Sequence, residues 1–308
     1  MHYTPRFFPE SGFPVVQVGL IGAGRVGRTL TALLPREQFQ LGPVVGRTPT
    51  SARRSCREMA NGTAAASLDA LSSCAVILVT VPDAALAEVI EKLASVAFRL
   101  TRKIVLQTTR LHTSSDLEPL RRRGAAVGSL QPLFVFQRPV PSLAGVYCAV
   151  EGDPAATRMA RRMIRSWNGE FQLVRGEQKI RLGIACSIAG DFLPSLLEMV
   201  VQQLTPAGFL KKRSLDAISS VLDAAFREYA RAGHRARPGP LLQSDPLTVR
   251  RYLDRLKDTD PVTAEAYRRT ARQTLEILRR KSDAFSFLDF SGDSGARALG
   301  AAAGAGSK

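Results

Sequence analysis

The segment that most constrains this chain is "VVQVGLIGAGRVGRTLTALL", residues 15–34. An apolar, β-branched run is followed by Gly22, Gly24 and Gly27 in G-x-G-x-x-G spacing, then by apolar residues at helical period. Strand, tight turn and helix in that order identify a dinucleotide-binding fingerprint, where the motif alone would be a weak signal. The first glycine allows the turn, the second lets backbone approach a pyrophosphate, and the third lets helix pack on strand. Residues Gly22, Ala23, Gly24, Arg25, Val26 and Gly27 therefore form the expected phosphate cradle. The helix N-terminus adds N–H groups and the positive end of its dipole.

About twenty residues beyond such a turn, an acidic residue marks a site for NAD, because it accepts hydrogen bonds from the ribose hydroxyls. This chain reads "LGPVVGRTPTSARR" there, with Arg47, Thr48, Arg53 and Arg54 and no carboxylate. A guanidinium fork matches phosphate oxygens and would attract a 2′-phosphate that a carboxylate repels. The expected cofactor is accordingly NADP, read by Arg47 with Thr48 and Arg53. The competing interpretation is a solvated basic start to the following helix.

Further along, strand-like runs alternate with helical ones: "AVILVTVPD", "AALAEVIEKLASV", "KIVLQTT", "SSDLEPLRRRG", "AAVGSLQPLF", "GVYCAVEG", "PAATRMARRMIRSWNG" and "EFQLVRG". Alternation of this kind predicts a parallel sheet covered on both faces. From about residue 177 the strand signal stops and helical periodicity continues to about 285, interrupted by "RARPGP" at 235–240. The expected fold is α/β, a doubly wound parallel sheet followed by an all-helical C-terminal domain. The expected boundaries are an arm at 1–14, the nucleotide domain at 15–176, the helical domain at 177–288, and a disordered Gly/Ala-rich tail at 289–308. Ligands on such sheets lie beyond the carboxyl ends of the strands. That nominates Thr80, Val81, Pro82 and Asp83 after one strand, Thr108 and Thr109 after the next, and Gln131 and Pro132 after a third. For Asp83 the competing interpretation is a cap for the following helix.

Composition narrows the rest. Four well-separated cysteines without a CxxC pair imply reduced thiols, no metal site and a cytoplasmic setting. The longest apolar run, "CAVILVTV", is too short to span a bilayer, and the N-terminus lacks the apolar core of a signal peptide. The net charge of +16 permits nucleic-acid contact, but the excess is Arg spread along helices, with no recognition motif.

In its order of segments the chain resembles Rossmann-like proteins that carry an appended helical DUF2520 domain. These are relatives of the pyrroline-5-carboxylate reductases, ketopantoate reductases and β-hydroxyacid dehydrogenases. The resemblance covers roughly residues 15–285 and rests on "VGLIGAGRVGRTL", "VVGRTPTSA", "VILVTVPDAAL", "GAAVGSLQPLFVF" and "GPLLQSDPLTVRRYL". It implies an NADP-linked reductase of a small keto acid or imine, dimeric through the helical domain. Several polar positions depart from the family pattern. Thr109-Arg110 stands where the family has Ser-Gly, and Gln131-Pro132 where it has His-Pro. Lys179 is kept, but Gly183 takes the place of a His and Asp191 that of an Asn. Near the end Gly239, Pro240, Asp245, Thr248 and Val249 persist, while Pro238, Gln243 and Tyr252 replace polar or ionisable residues.

Reduction of a carbonyl or imine needs an acid or cation where charge develops. The candidates are Lys179, Asp191 and the loop histidine His112, with His234 a weaker choice. Arg110 and Arg181 would suit a substrate that carries a carboxylate. The leading expectation is an NADP-dependent oxidoreductase with an altered substrate pocket, soluble and with no membrane partner. A catalytically degenerate NADP-binding sensor or partner subunit is the alternative, and a basic nucleic-acid-associated protein the lesser one.

Overall fold

The computed structural model describes residues 14–233 and 246–279. The expected N-terminal arm up to residue 13, the Pro/Gly cluster, His234, Pro238, Gly239, Pro240, Gln243, Asp245 and the Gly/Ala-rich tail lie outside the described residues.

The chain divides into two compact units, one ending at Leu193 and the other beginning at Pro194. The first is built on eight strands: β1 (Val16–Ile21), β2 (Phe39–Val45), β3 (Thr63–Ala65), β4 (Val76–Val79), β5 (Ile104–Gln107), β6 (Ala126–Pro132), β7 (Tyr147–Gly152) and β8 (Glu170–Leu173). They form one sheet in the order β3-β2-β1-β4-β5-β6-β7-β8. All neighbouring pairs are parallel except β6 and β7. The helices of this unit are α1 (Arg25–Ala32), α2 (Pro49–Met59), α3 (Leu86–Ala94), α4 (Glu118–Arg122), α5 (Pro154–Ser166) and α6 (Gly176–Ser187).

Strands buried on both faces must be apolar throughout, and β4 is: Val76, Ile77, Leu78 and Val79 are all buried. One face packs Leu30 and Leu34 on one side and Met163, Ile164 and Trp167 on the other against Val18, Leu20, Val44, Leu106 and Leu130. The opposite face packs Leu86, Ile90, Leu93, Leu117 and Leu120 against Ile77, Val79, Val105 and Val127. Two features escape the alternation of the sequence. Strand β3 is only three residues long. Strand β7 runs against β6, because residues 133–146 return as a loop with no helix to carry the chain across the sheet. The Cys148 thiol lies in this core, where burial pushes its pKa up to about 12, so it is no nucleophile at neutral pH.

Helix α6 is followed by a wider π-type turn at Ile188–Phe192 and then by α7 (Leu193–Leu204). The second unit contains most of α7, α8 (Lys211–Ala232), α9 (Pro246–Thr259) and α10 (Pro261–Arg279). Among the described residues, Val201, Val249, Leu253, Ala264 and Ala271 are its buried apolar residues, and Asp260 caps α10 through the Thr263 amide at 3.0 Å. Among the described residues one helical run, Gly176–Leu204, is long and apolar enough to cross a membrane by length and composition.

Candidate functional site

The glycine-rich turn sits at the carboxyl edge of β1, held from both sides. The Gly22 amide donates to the Val45 carbonyl and the Thr80 amide to the Ile21 carbonyl, each at 2.8 Å. The Thr80 hydroxyl donates to the Gly22 carbonyl, and the Ser55 hydroxyl to the Ala23 carbonyl at 3.1 Å. The turn's carbonyls are thus tied back into β4 and α2. Gly22 has φ +87°, which only glycine adopts without strain. A methyl group on Gly27 would come within 2.6 Å of the Gly22 carbonyl oxygen, so helix and turn could not pack as they do. At Gly24, which heads α1 and makes no side-chain cap, a methyl group would meet nothing within 4 Å. The first-turn N–H groups of α1 are without intrahelical partners by geometry and stand beside open space. An anion at that position fits the residues present.

Arg47 follows the last residue of β2, and Thr48 caps α2. The Thr48 hydroxyl accepts from the Ser51 amide at 3.1 Å while Ser51 Oγ accepts from the Thr48 amide at 3.2 Å. Thr48 therefore has a structural task and keeps its hydroxyl proton as the donor for a phosphate. Among the described residues, no hydrogen bond or ion pair engages the exposed Arg47 and Arg53 side chains, whereas Arg54 faces Glu58 at 4.0 Å. Arg25, the first residue of α1, is likewise exposed.

Across the switch point the carboxyl edge differs. The loop after β5 is fastened along its whole length. Gln107 is fully buried, and its Oε1 accepts from the Thr109 amide at 2.6 Å and the Thr109 hydroxyl at 2.5 Å. Its Nε2 donates to the His112 carbonyl at 2.7 Å. The Leu111 amide donates to Asp83 Oδ1 at 2.8 Å. Asp83 therefore ties two edge loops together and does not cap the following helix. Glu151 on β7 accepts from the Ser114 amide at 2.8 Å and the Ser114 hydroxyl at 2.5 Å. Gln107 and Glu151, polar residues inside otherwise apolar strands, escaped the sequence reading; their burial is what makes them informative.

Lys179 belongs to this network. It lies in the first turn of α6 and is completely buried, although a lysine there reads as a surface residue. Its Nζ donates to the Thr109 carbonyl at 2.7 Å and to the His112 carbonyl. Burial pushes its pKa down to about 8, against the opposing pull of Glu151, Asp83 and Asp116. One helical turn on, a methyl group at Gly183 would stand 2.8 Å from the Arg110 carbonyl oxygen. The loop thus fills the space that a side chain at 183 would need.

The His112 ring is about a quarter exposed, with Nδ1 3.3 Å from Asp116 Oδ1. Burial raises the Asp116 pKa, but hydrogen bonds from Thr113 and His112 outweigh it and hold the carboxyl below its usual range. Asp191 stands apart. It is exposed, accepts from Ser187 at 2.7 Å, and lies about 18 Å along the helical run from Lys179, at 1.5 Å per residue. Lys179 and His112 are brought together; Asp191 is not. Val81, Pro82 and Thr108 take their places on the edge loops, with the Thr108 amide bonded to the Val79 carbonyl at 3.1 Å. Among the described residues, no group of three or more His, Cys, Asp or Glu side chains could hold a metal ion.

Comparison with known proteins divides the chain earlier than the two compact units do, so that the second match begins within the sheet. Residues 10–132 match the Rossmann-like domain family, and residues 146–274 match DUF2520, a domain of unknown function. A search of the curated proteins returns no match. Among solved structures, one similar fold is a protein of Bacteroides fragilis described as an NADP oxidoreductase (TM-score 0.69, 19% identity, 85% of this chain and 98% of that one). Another is a reductive aminase from Aspergillus terreus in complex with NADPH and ethyl-5-oxohexanoate (TM-score 0.63, 16% identity, 87% and 95%). A third is 1-pyrroline-5-carboxylate reductase from Streptococcus pyogenes (TM-score 0.57, 12% identity, 84% and 98%). At these identities the likeness is one of fold.

Proposed function

We propose that this chain, a Rossmann-like domain followed by a DUF2520 domain, binds NADP and acts as a reductase of a small keto acid or imine. One observation carries the cofactor reading. The glycine turn has its carbonyls fastened inward and its helix N-terminus open, and the uncommitted Arg47 stands at the end of the adjacent strand. Pyrophosphate against the first suits the helix dipole, and a 2′-phosphate against the second suits the guanidinium fork. The reductases among the solved structures of similar fold support the same reading.

When bound, NADPH supplies a hydride to the carbonyl or imine carbon, and the substrate's oxygen or nitrogen takes up a proton. His112 is the proposed proton source, because its ring is accessible and held by Asp116. Lys179 is a positioning residue: two of its three N–H groups hold the loop that carries His112. Arg110, on that loop, is the proposed partner of a substrate carboxylate. A second reading is favoured by one observation. The family's polar position at 183 is filled by a backbone carbonyl, which fits a chain that keeps the cofactor without turnover. Titration of NADPH and NADH by fluorescence, followed by oxidation assays on keto acids and cyclic imines, separates these. Tighter NADPH with turnover is the expected result. NADPH binding alone selects the second reading, and equal affinity for both cofactors overturns the assignment.

The proposed partner is a second copy of this chain. Helix α8 leaves Val221, Phe226 and Tyr229 60%, 76% and 66% exposed, more apolar surface than an isolated soluble helix tolerates. The helical run before it exposes Ile184, Ile188, Phe192 and Leu196. A protein surface suits these residues better than lipid, because the run also carries exposed Arg181 and Asp191 and its start is pinned by buried Lys179. Light scattering is expected to give twice the chain mass, and Phe226→Asp to give a monomer. A monomeric native protein refutes this.

A further inference from the structure

The carboxyl edge of β6 holds two buried polar side chains without partners. Gln131 is 1% exposed and Ser129 is fully buried, and neither the Gln131 amide atoms nor Ser129 Oγ makes a hydrogen bond. Buried polar groups are almost always paired, because an orphaned one loses its solvation for nothing in return. Alternation along β6 puts Val127, Ser129 and Gln131 on one face. Ser129 is in register with Gln107 on β5 and Glu151 on β7. Both of those neighbours turn their polar atoms onto loop residues 109–114, and neither bonds Ser129. Gln131 lies one step nearer the carboxyl edge, in register with Ala149, which has no polar side chain. Continuing the β5 register places it beside Thr109, whose hydroxyl and amide are already given to Gln107.

We infer that Gln131, backed by Ser129, is the anchor for a primary carboxamide, namely that of the nicotinamide ring. This rests on the proposed NADP reading. An amide side chain offers one acceptor and a pair of donors, which a second carboxamide complements with two antiparallel hydrogen bonds. The position suits that group: Gln131 is two strand spacings, about 9.6 Å, from the β4 edge where Val81 lies, on the carboxyl edge where such sheets bind their ligands. A glutamine kept orphaned in the free protein is a binding group whose partner arrives with the ligand.

The test uses Gln131→Leu and Ser129→Ala in the full-length protein. Three ligands are titrated: NADPH, its 3-acetylpyridine analogue, which lacks the amide N–H₂, and 2′-phospho-ADP-ribose, which lacks the ring. Gln131→Leu is expected to weaken NADPH about tenfold and to leave phospho-ADP-ribose unchanged. The wild type is expected to prefer NADPH to the acetylpyridine analogue, and the variant to lose that preference. Replacing an orphaned amide by a smaller apolar side chain is also expected to hold or raise the melting temperature of the free protein. Unchanged NADPH affinity in Gln131→Leu overturns the inference and assigns the orphaned atoms to buried water. Equal weakening of NADPH and phospho-ADP-ribose overturns it as well, since the fold of the cradle has then been disturbed. If the wild type binds phospho-ADP-ribose but does not distinguish the two ring analogues, the cofactor reading stands and the carboxamide anchor falls. A wild type that binds none of the three overturns both.

Discussion

Replacement of Lys179 by methionine isolates what the buried ammonium does. Methionine has a similar length and fills the same slot without charge or donors. In the folded protein burial holds the lysine near a pKa of about 8, against 10.5 for an ordinary lysine. Between those values the unfolded chain binds the proton and the folded chain does not, so wild-type stability rises with pH across the window. Below pH 8 both states are protonated, and the full penalty of burying the charge is present. Integrating the two titrations from pH 7 to pH 10 gives a gain of about 2.5 kcal/mol for the wild type. The methionine variant has no such term. At pH 7 the substitution removes that penalty but leaves the Thr109 carbonyl without its Lys179 partner, at a cost of about 1–3 kcal/mol. The His112 carbonyl keeps Gln107. The two effects nearly cancel at neutral pH, and the variant becomes progressively the less stable protein as pH rises.

Urea unfolding of both proteins at pH 7 and pH 10 measures the difference directly. The other titrating groups are common to both and drop out of the comparison. A divergence of about 2.5 kcal/mol, or roughly 5–10 °C in melting temperature, is expected. Parallel pH dependences would refute the reasoning, because they would mean that the Lys179 charge is solvated and the loop is not fastened by it.

Further outcomes follow from the same geometry. Arg47→Asp should weaken NADPH binding by about tenfold or more, a charge-assisted hydrogen bond being worth about 1.5 kcal/mol at an exposed site, while NADH binding holds or improves. Paired fluorescence titrations measure this. Gly183→Ala should destabilise the first unit by about 1–3 kcal/mol, because the added methyl group would stand 2.8 Å from the Arg110 carbonyl oxygen. Gly183→His should do the same and leave turnover no higher than in the wild type, which denaturant midpoints and a keto-acid assay check together.

Much of the first unit was legible in the sequence. The fingerprint glycines, the basic end of β2 and the buried strands each rest on local rules: φ above zero, charge complementarity and apolar run length. Those rules need no knowledge of distant contacts. What escaped depends on contacts between residues far apart in sequence. Lys179 looks like a surface residue until the loop seventy positions earlier is seen to accept its protons. Asp83 looks like a helix cap until the Leu111 amide reaches it. Gln107 and Glu151 look like incidental polar residues at strand ends. The reversal of β7 is invisible for a similar reason, since strand direction depends on the path of a loop and not on composition. Asp191 was grouped with Lys179 because the family pattern places both on one helical segment; the helical rise alone separates them.

These contacts divide the carboxyl edge of the sheet into two halves with different physics. At β1 and β2 the polar groups are uncommitted: helix N–H groups beside open space, and exposed arginines. Anions can be met there without breaking any internal bond. Across the sheet, Gln107 on β5, Glu151 on β7, Asp83 and Lys179 are turned onto the loop that carries Arg110 and His112. A backbone held at Thr109, Leu111, His112 and Ser114 cannot readjust around a ligand. Any group it presents is fixed before binding, and fixed dipoles stabilise developing charge without reorganisation. Gly183, the conformation of the Arg110 loop and the burial of Lys179 then have a common cause. A glycine at 183 lets the Arg110 carbonyl sit against α6, and that position of the loop requires Lys179 to face backbone. A side chain restored at one of these positions would have to displace the others, so they are coupled and should be exchanged only as a set.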